Sequence, residues 1–326
     1  MNDPSAPPLR RPRFEQFEVP GEDVAASICA GLRAARPAIA PRWFYDALGS
    51  RLFEAICELP EYYLTRTEAE VFAAHGAAIA TAAGADLTLI DLGAGDCEKA
   101  ARLFGVLRPA QYVAVDISAD YLRARLDCLQ DRWPALDIVG VGMDFADRLQ
   151  LPAMVRPQQR LFFYPGSSIG NFAPPQARAF LARVHALAGS GGRLLIGVDL
   201  VKDAAILDPA YDDALGVTAA FNLNVLNHVN QLAGADFDVR DWRHVGFFNR
   251  AASRIEMHLE ARRDLQVRLG DGGPPLRFAA GDRVHTEDSW KYRTEDFARL
   301  LRDAGFRHSR CFTDVRGWFA VFLADA

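Results

Sequence analysis

Leu87-Thr-Leu-Ile-Asp-Leu-Gly-Ala-Gly95, continuing as Asp96-Cys-Glu-Lys99, is the stretch on which the fold turns. A short apolar run closing on two spaced glycines reads as a buried parallel strand that bends into a helix. The helix is expected from about Glu98 to Leu107. Downstream the pattern repeats. Tyr112–Val115, Ile138–Val141, Arg160–Tyr164 and Arg193–Val198 read as strands, with helices around Ala119–Gln130 and Pro174–Leu187 between them. Alternating strands and helices predict a parallel sheet covered on both faces. From about 203 to 290 the alternation stops. An Asn-rich helical stretch, Tyr211 to about Leu232, precedes strand-like runs at Arg254–Ala261 and Asp264–Leu269. A last helix, Thr294–Ala304, leads to two strands, His308–Phe312 and Trp318–Leu323. The turn between them holds Asp314 and Gly317, so they are expected as an antiparallel hairpin. Upstream, residues 23–35 and 49–58 carry helical spacing, and residues 1–20 read as a loose arm. Thr65, with Glu68 three residues on, reads as a capping box that opens a helix through about Ala83.

The chain has 326 residues, half of them apolar, with 37 basic and 42 acidic side chains for a net charge of −5. Nothing in that balance attracts nucleic acid or an anionic membrane, so a small-molecule partner is expected. Cys29, Cys57, Cys97, Cys128 and Cys311 are odd in number and widely spaced, which fits a reducing cytoplasm rather than a disulfide framework. The seven histidines form no H-x-x-x-H or other metal spacing, so no metal is expected. No run is long enough to span a bilayer. A monomer is the expectation, since no heptad or long apolar surface stands out.

The loop after the first strand narrows the ligand. A dinucleotide fingerprint needs a third glycine, and position 98 is Glu. The G-K-[ST] of a phosphate-binding loop is absent too. A diphosphate is therefore disfavoured, and S-adenosylmethionine (SAM), whose nucleoside bears no phosphate, is favoured. Asp116 closes the second strand 23 residues after Gly93, near the spacing of an acid that holds ribose hydroxyls. Asp144-Phe145 after the third strand offers a carboxylate for an adenine amine and an apolar wall. A parallel sheet, an insertion and a terminal hairpin together match the layout of class I methyltransferases, which is an analogy of fold.

Longer strings carry a closer likeness. They include Trp43-Phe-Tyr-Asp-Ala-Leu-Gly-Ser-Arg-Leu-Phe53, Leu59-Pro-Glu-Tyr-Tyr-Leu-Thr-Arg-Thr-Glu68 and Pro165-Gly-Ser-Ser-Ile-Gly-Asn171. Gly197-Val-Asp-Leu-Val-Lys-Asp203, Gly216-Val-Thr-Ala-Ala-Phe-Asn222, Arg254-Ile-Glu-Met-His-Leu259 and His285-Thr-Glu-Asp-Ser289 follow in order. Over residues 40 to 326 the chain resembles the histidine-specific Nα-methyltransferases of ergothioneine biosynthesis. The resemblance implies a Rossmann-like methyltransferase domain at 67–202 and 292–326. It implies a smaller α+β substrate domain at 21–66 and 203–291. It places SAM against Gly93, Lys99, Asp116, Asp144 and Phe145. It places L-histidine against Tyr62, Asn171, Tyr211, Met257, Glu287 and Ser289, with Tyr45 and Asn171 in the catalytic set. The implied reaction is trimethylation of the histidine α-amine to hercynine. Asp96-Cys97, Ala100 and Met143 depart from the family pattern, all on the cofactor side.

Each residue alone has a plainer reading. Tyr45, Tyr62 and Met257 fit a hydrophobic core, Asn171 a helix cap, Lys99 a helix surface, and Glu287 a solvated face. Two other functions stay open at this point. One is the same chemistry on tryptophan, against which an acid at 287 argues. The other is a non-catalytic module that binds SAM or an amino acid.

Overall fold

The computed structural model describes residues 10–17, 23–146 and 148–326. Strand β1 (Arg13–Gln16) is followed by helix α1 (Val24–Leu32), a 3-10 turn at Pro41–Phe44, α2 (Ala47–Cys57) and α3 (Leu64–Ala83). Then come β2 (Thr88–Leu92), α4 (Glu98–Ala101), α5 (Phe104–Leu107), β3 (Gln111–Asp116), α6 (Ala119–Arg132), β4 (Asp137–Gly142) and β5 (Arg160–Tyr164). A 3-10 turn at Ser168–Asn171 leads to α7 (Pro174–Ala188) and β6 (Arg193–Asp199). The insertion supplies α8 (Ala204–Tyr211), α9 (Val217–Ala233), β7 (Trp242–Asn249), β8 (Arg254–Ala261), β9 (Leu265–Val267), β10 (Leu276–Phe278) and β11 (Arg283–Trp290). Helix α10 (Thr294–Asp303) and strands β12 (His308–Thr313) and β13 (Phe319–Asp325) finish the chain.

The large sheet has eight strands in the order β1-β4-β3-β2-β5-β6-β13-β12. The first six run parallel, β13 is antiparallel to β6, and the expected terminal hairpin is present. Every residue of β2 is buried, which explains its uninterrupted apolar run. Strand order reverses at β2, so the crevice beyond the carboxyl ends of β2, β3 and β5 is where such sheets bind ligands. The fold is an α/β, Rossmann-like class I methyltransferase fold. Strands β11-β8-β7 form a separate antiparallel sheet. A further apolar core joins its inner face to α1, α2, α8 and α9, with Phe44, Phe221, Trp242 and Leu259 among its buried members.

Four expectations are corrected, and two strands are added. Of the arm at 1–20, residues 10–17 are described, and 13–16 form an edge strand instead of a loose tail. Phe14 of β1 fills the space over Gly140, where a Cβ would come within 2.4 Å of its ring. The capping box at Thr65 and Glu68 does not form. Helix α3 starts after Tyr63 with no side-chain cap, and Glu68 is buried and bonded elsewhere. The single helix expected over 98–107 is two short turns, broken at Arg102 and Leu103. The Asn-rich stretch becomes helical only at Val217 (α9), with Tyr211 ending the separate helix α8, because Gly216 turns at φ +76° and the Asp213 carboxylate accepts from Val217 N and Thr218 N. Strands β7 and β11 were not expected from the sequence, since neither alternates cleanly between apolar and polar residues.

Gly197 of β6 is required by close approach. A Cβ there would lie 2.3 Å from Glu68 Oε1 and 2.9 Å from Phe319, and Glu68 is tied in place on its other side. Gly197→Ala is expected to cost about 1–3 kcal/mol by overpacking and lower the melting temperature by several degrees. An unchanged melting curve would show that Glu68 has room to withdraw.

Candidate active site

The carboxyl ends of β2, β3 and β4 bring the five cofactor candidates to one side of the sheet. Gly93 and Gly95 turn at φ +73° and +53°, values that glycine adopts without strain. A Cβ on Gly93 would touch Phe145 at 3.6 Å, so the loop packs against the aromatic wall expected for a base. Asp116 Oδ2 accepts from Gly95 N and its Oδ1 from Ser118 N, both at 2.9 Å, which holds the glycine loop against β3. Asp144 Oδ1 accepts from Ala146 N, and Arg42 Nη1 donates to Oδ2 at 3.0 Å. That ion pair joins the 3-10 turn at 41–44 to the loop after β4.

Lys99 donates to Glu68 Oε2 at 3.1 Å, and Glu68 Oε1 accepts from Gly166 N at 2.8 Å. Burial pulls the Lys99 ammonium down, but Glu68 outweighs it and keeps the lysine charged. A Cβ on Gly166 (φ +76°) would sit 3.0 Å from Lys99 Nζ, so glycine leaves this cradle open. The donors, the wall and the glycine turns suit a nucleoside linked to an amino-acid end, which is the shape of SAM. The departures fill structural roles here. Asp96 caps Glu98 N, Cys97 takes φ +66° in full burial, and Ala100 and Met143 are packed inside. Burial pushes the Cys97 thiol up, away from nucleophilic use.

Next to this cradle a cavity gathers every substrate candidate. Tyr45, Tyr62, Asn171, Tyr211, Met257, Glu287 and Ser289 all line it, and so does Gly166. None of the five cofactor candidates lines it, and Lys99 reaches it only through Gly166. Asn171 ends the 3-10 turn at 168–171 and does not cap α7, whose N-cap is Ala173. That turn presses on β11, where a Cβ on Gly170 would meet Trp290 O at 2.9 Å. Tyr211 ends α8 and is seated on β7 because Gly246 lets the Tyr211 carbonyl approach, with His244 Nε2 2.8 Å from its oxygen. Glu287 and Ser289 face the cavity because β11 carries a bulge between His285 and Glu287. Continued alternation from buried Val284 would have turned Asp288 and Trp290 inward instead.

The plainer readings fall unevenly. Tyr62 and Met257 are core members and cavity walls at once. Tyr45 is partly exposed, with its ring set edge-on to Phe53 and Phe221. Glu287 is only 8% exposed, so it is no solvated surface acid. Burial raises its carboxyl to about 7, a rise that Lys291 partly offsets.

A model of the histidine-specific, SAM-dependent methyltransferase family matches residues 24–326. The chain belongs to this family. Histidine N-alpha-methyltransferase of Mycolicibacterium smegmatis is 42% identical over 93% of this chain and 95% of its own length. The protein of the same name from Mycobacterium tuberculosis is 41% identical over 91% of this chain and 93% of its own. Ergothioneine biosynthesis protein 1 of Neurospora crassa is 32% identical over 80% of this chain, which spans 30% of that longer protein. Membership makes the chain a SAM-dependent methyltransferase, and the non-catalytic module is set aside.

In this histidine-specific methyltransferase, one group of functional side chains escaped the sequence reading. Lys291 Nζ donates to Tyr211 Oη at 2.8 Å and to Ser289 Oγ at 2.9 Å, and pairs with Asp199 Oδ2 at 2.8 Å. Lys202 Nζ donates to Asp199 Oδ1 at 2.6 Å, and Tyr63 Oη donates to Asp199 Oδ2 at 2.7 Å. All of it is buried directly behind the cavity wall. The signal was present as Glu287-x-Ser289-x-Lys291, whose alternation runs along β11 and one residue past its end. Among the described residues no group of three or more His, Cys, Asp or Glu is placed to hold a metal ion. Among them, too, no helix is long and apolar enough to cross a membrane.

Proposed function

We propose that the chain methylates the α-amine of L-histidine three times to give hercynine, a step of ergothioneine synthesis, acting as a cytoplasmic monomer without a nucleic-acid partner. The observation that carries the substrate is Glu287, a buried carboxylate set in a small cavity beside Ser289 and opposite Met257. A buried acid needs a partner that donates a proton or a hydrogen bond, and an imidazole N–H is one. On this reading the cofactor side comprises 67–202 and 292–326, and the substrate side 21–66 and 203–291.

Bound SAM supplies a methyl group on a sulfonium, which the amine nitrogen takes in line as the carbon–sulfur bond breaks. The protein holds the two ends of the amino acid so that the amine lone pair faces Lys99 and Gly166 at the cofactor cradle. Tyr211 and Asn171 grip the carboxylate, Glu287 and Ser289 the imidazole, and Tyr62 borders the ring. Tyr45 and Phe53 close the outer side and limit water. Holding both ends lowers the barrier by positioning, and no strong base is needed once the amine has released one proton to solvent before each of the three transfers. Glycine turns at 93, 95 and 166 let the cofactor loop approach closely, while Asp116 and Asp144 present carboxylates to ribose and adenine.

Mass spectrometry of the protein with SAM and an equimolar pool of the twenty amino acids tests this. Histidine alone is expected to gain methyl groups, up to three. Methylation of a different amino acid, or of none, would overturn the substrate assignment.

A further inference from the structure

The buried Lys291 cluster has a hydrogen-bond arithmetic of its own. An ammonium has three protons. Lys291 places them on Tyr211 Oη, Ser289 Oγ and Asp199 Oδ2, at 2.8, 2.9 and 2.8 Å, with the side chain wholly buried. Tyr211 Oη and Ser289 Oγ are themselves 3.0 Å apart, so one of their two hydroxyl protons lies between them. The second is the only donor that the pair has left. Both residues line the cavity, so that proton is directed there. Charge points the same way. Asp199 carries one negative charge against two lysines, Lys291 and Lys202, and Tyr63 contributes none. Within this trio one positive charge is in surplus behind the hydroxyl pair; Glu287 also acts on Lys291 and Asp314 on Lys202, so part of that surplus is already shared. In a buried setting such a charge is screened weakly.

We propose that Lys291 is a positioning residue for the substrate carboxylate: it holds Ser289 and Tyr211 so that the Ser289 proton lies on Tyr211 and the Tyr211 hydroxyl donates into the cavity, with a positive charge behind it, so that the site selects molecules bearing an ionised α-carboxylate. This rests on the reading that Tyr211 faces that carboxylate. Lys291 touches no reacting atom. Its effect falls on binding and on the choice between an amino acid and its decarboxylated amine. Asp199 keeps Lys291 charged and in register, and Lys202 balances Asp199 so that Lys291 retains a surplus for the substrate.

The test is calorimetric affinity for L-histidine and for histamine, with S-adenosylhomocysteine present, in wild-type protein and in Lys291→Met. Methionine keeps the length of the side chain and removes the charge and all three donors. Wild-type protein is expected to bind histidine at least about 10²-fold more tightly than histamine, and Lys291→Met to lose about 10²-fold on histidine and less than about threefold on histamine. In turnover, KM for histidine should rise far more than kcat falls. Equal losses on both ligands would show a merely structural lysine, and no loss on either would show that the charge plays no part; either result overturns the proposal. Should Lys291→Met fail to fold, the pair Asp199→Asn/Lys291→Met removes both partners of the ion pair and is held to the same ratio. If the wild-type protein binds a different amino acid in place of histidine, the histidine reading fails. The Lys291 proposal is then decided on that amino acid and its own decarboxylated amine.

Discussion

Replacing Glu287 with alanine is expected to lower kcat/KM for L-histidine by about 10²–10³-fold while leaving that for L-tryptophan within about tenfold of its starting value. Glu287 is buried and faces the cavity across from Met257 in the β8–β11 pairing. An imidazole N–H that has left water needs an acceptor there. Without the carboxylate, that N–H is buried unpaired, which costs more than the bond it loses. An indole makes no comparable demand for an anion, and the flexible Met257 beside the vacated space can give way to a larger ring. Steady-state kinetics on both amino acids measures the ratio. Equal losses would place the imidazole elsewhere in the cavity and reopen the tryptophan reading.

Glu287→Gln is expected to stabilise the ligand-free protein at pH 8 by about 1–3 kcal/mol while impairing use of histidine. Burial raises the Glu287 carboxyl from 4.5 to about 7. An acid held above its unfolded value binds more protons when folded. Its contribution to stability is complete below about pH 4.5 and is lost as pH rises through 7. At pH 8 the wild-type protein carries a buried anion against which only Lys291 acts favourably, and glutamine removes that burden. At pH 4 the two proteins should match, because both carry a neutral side chain there. Thermal melts at the two pH values read the difference directly. Asp91, also raised by burial to about 7, is common to both proteins and cancels. A variant no more stable at pH 8 than at pH 4, relative to wild type, would show that the carboxylate is well solvated without ligand. The substrate site would thus hold a group that weakens the fold and serves binding, a usual trade at functional positions.

The sheet was legible because β2 to β6 are buried on both faces and read as plain apolar runs. The terminal hairpin was legible from Asp314 and Gly317, where Asp314 Oδ1 now accepts from Trp318 N and Phe319 N. Strand β11 was hidden because its bulge switches parity midway: Val284 faces inward before it, and Glu287 and Ser289 after it. Strand β7 was hidden by Gly246, which serves contact with Tyr211 and weakens the local strand signal. Glu68 looked like half of a capping box because spacing cannot reveal that a distant loop and Lys99 claim its oxygens. The substrate residues were visible only through the family strings. No spacing rule brings Tyr62, Tyr211 and Glu287 to one cavity from three separate elements. Lys291 belonged to none of those strings and came to light only with its three partners in place.

Strand β1 extends the large sheet by one strand beyond β4. Residues 13–16 lie beside 139–142, so more than a hundred residues must be in place before that border can be sealed. Until then β4 offers its backbone donors and acceptors, and the bare surface over Gly140, to any extended chain nearby. The β1 segment covers the β4 edge and Gly140 and becomes the border itself, a strand of four residues in place of a longer bare one. It lies apart from the residues that line the cavity.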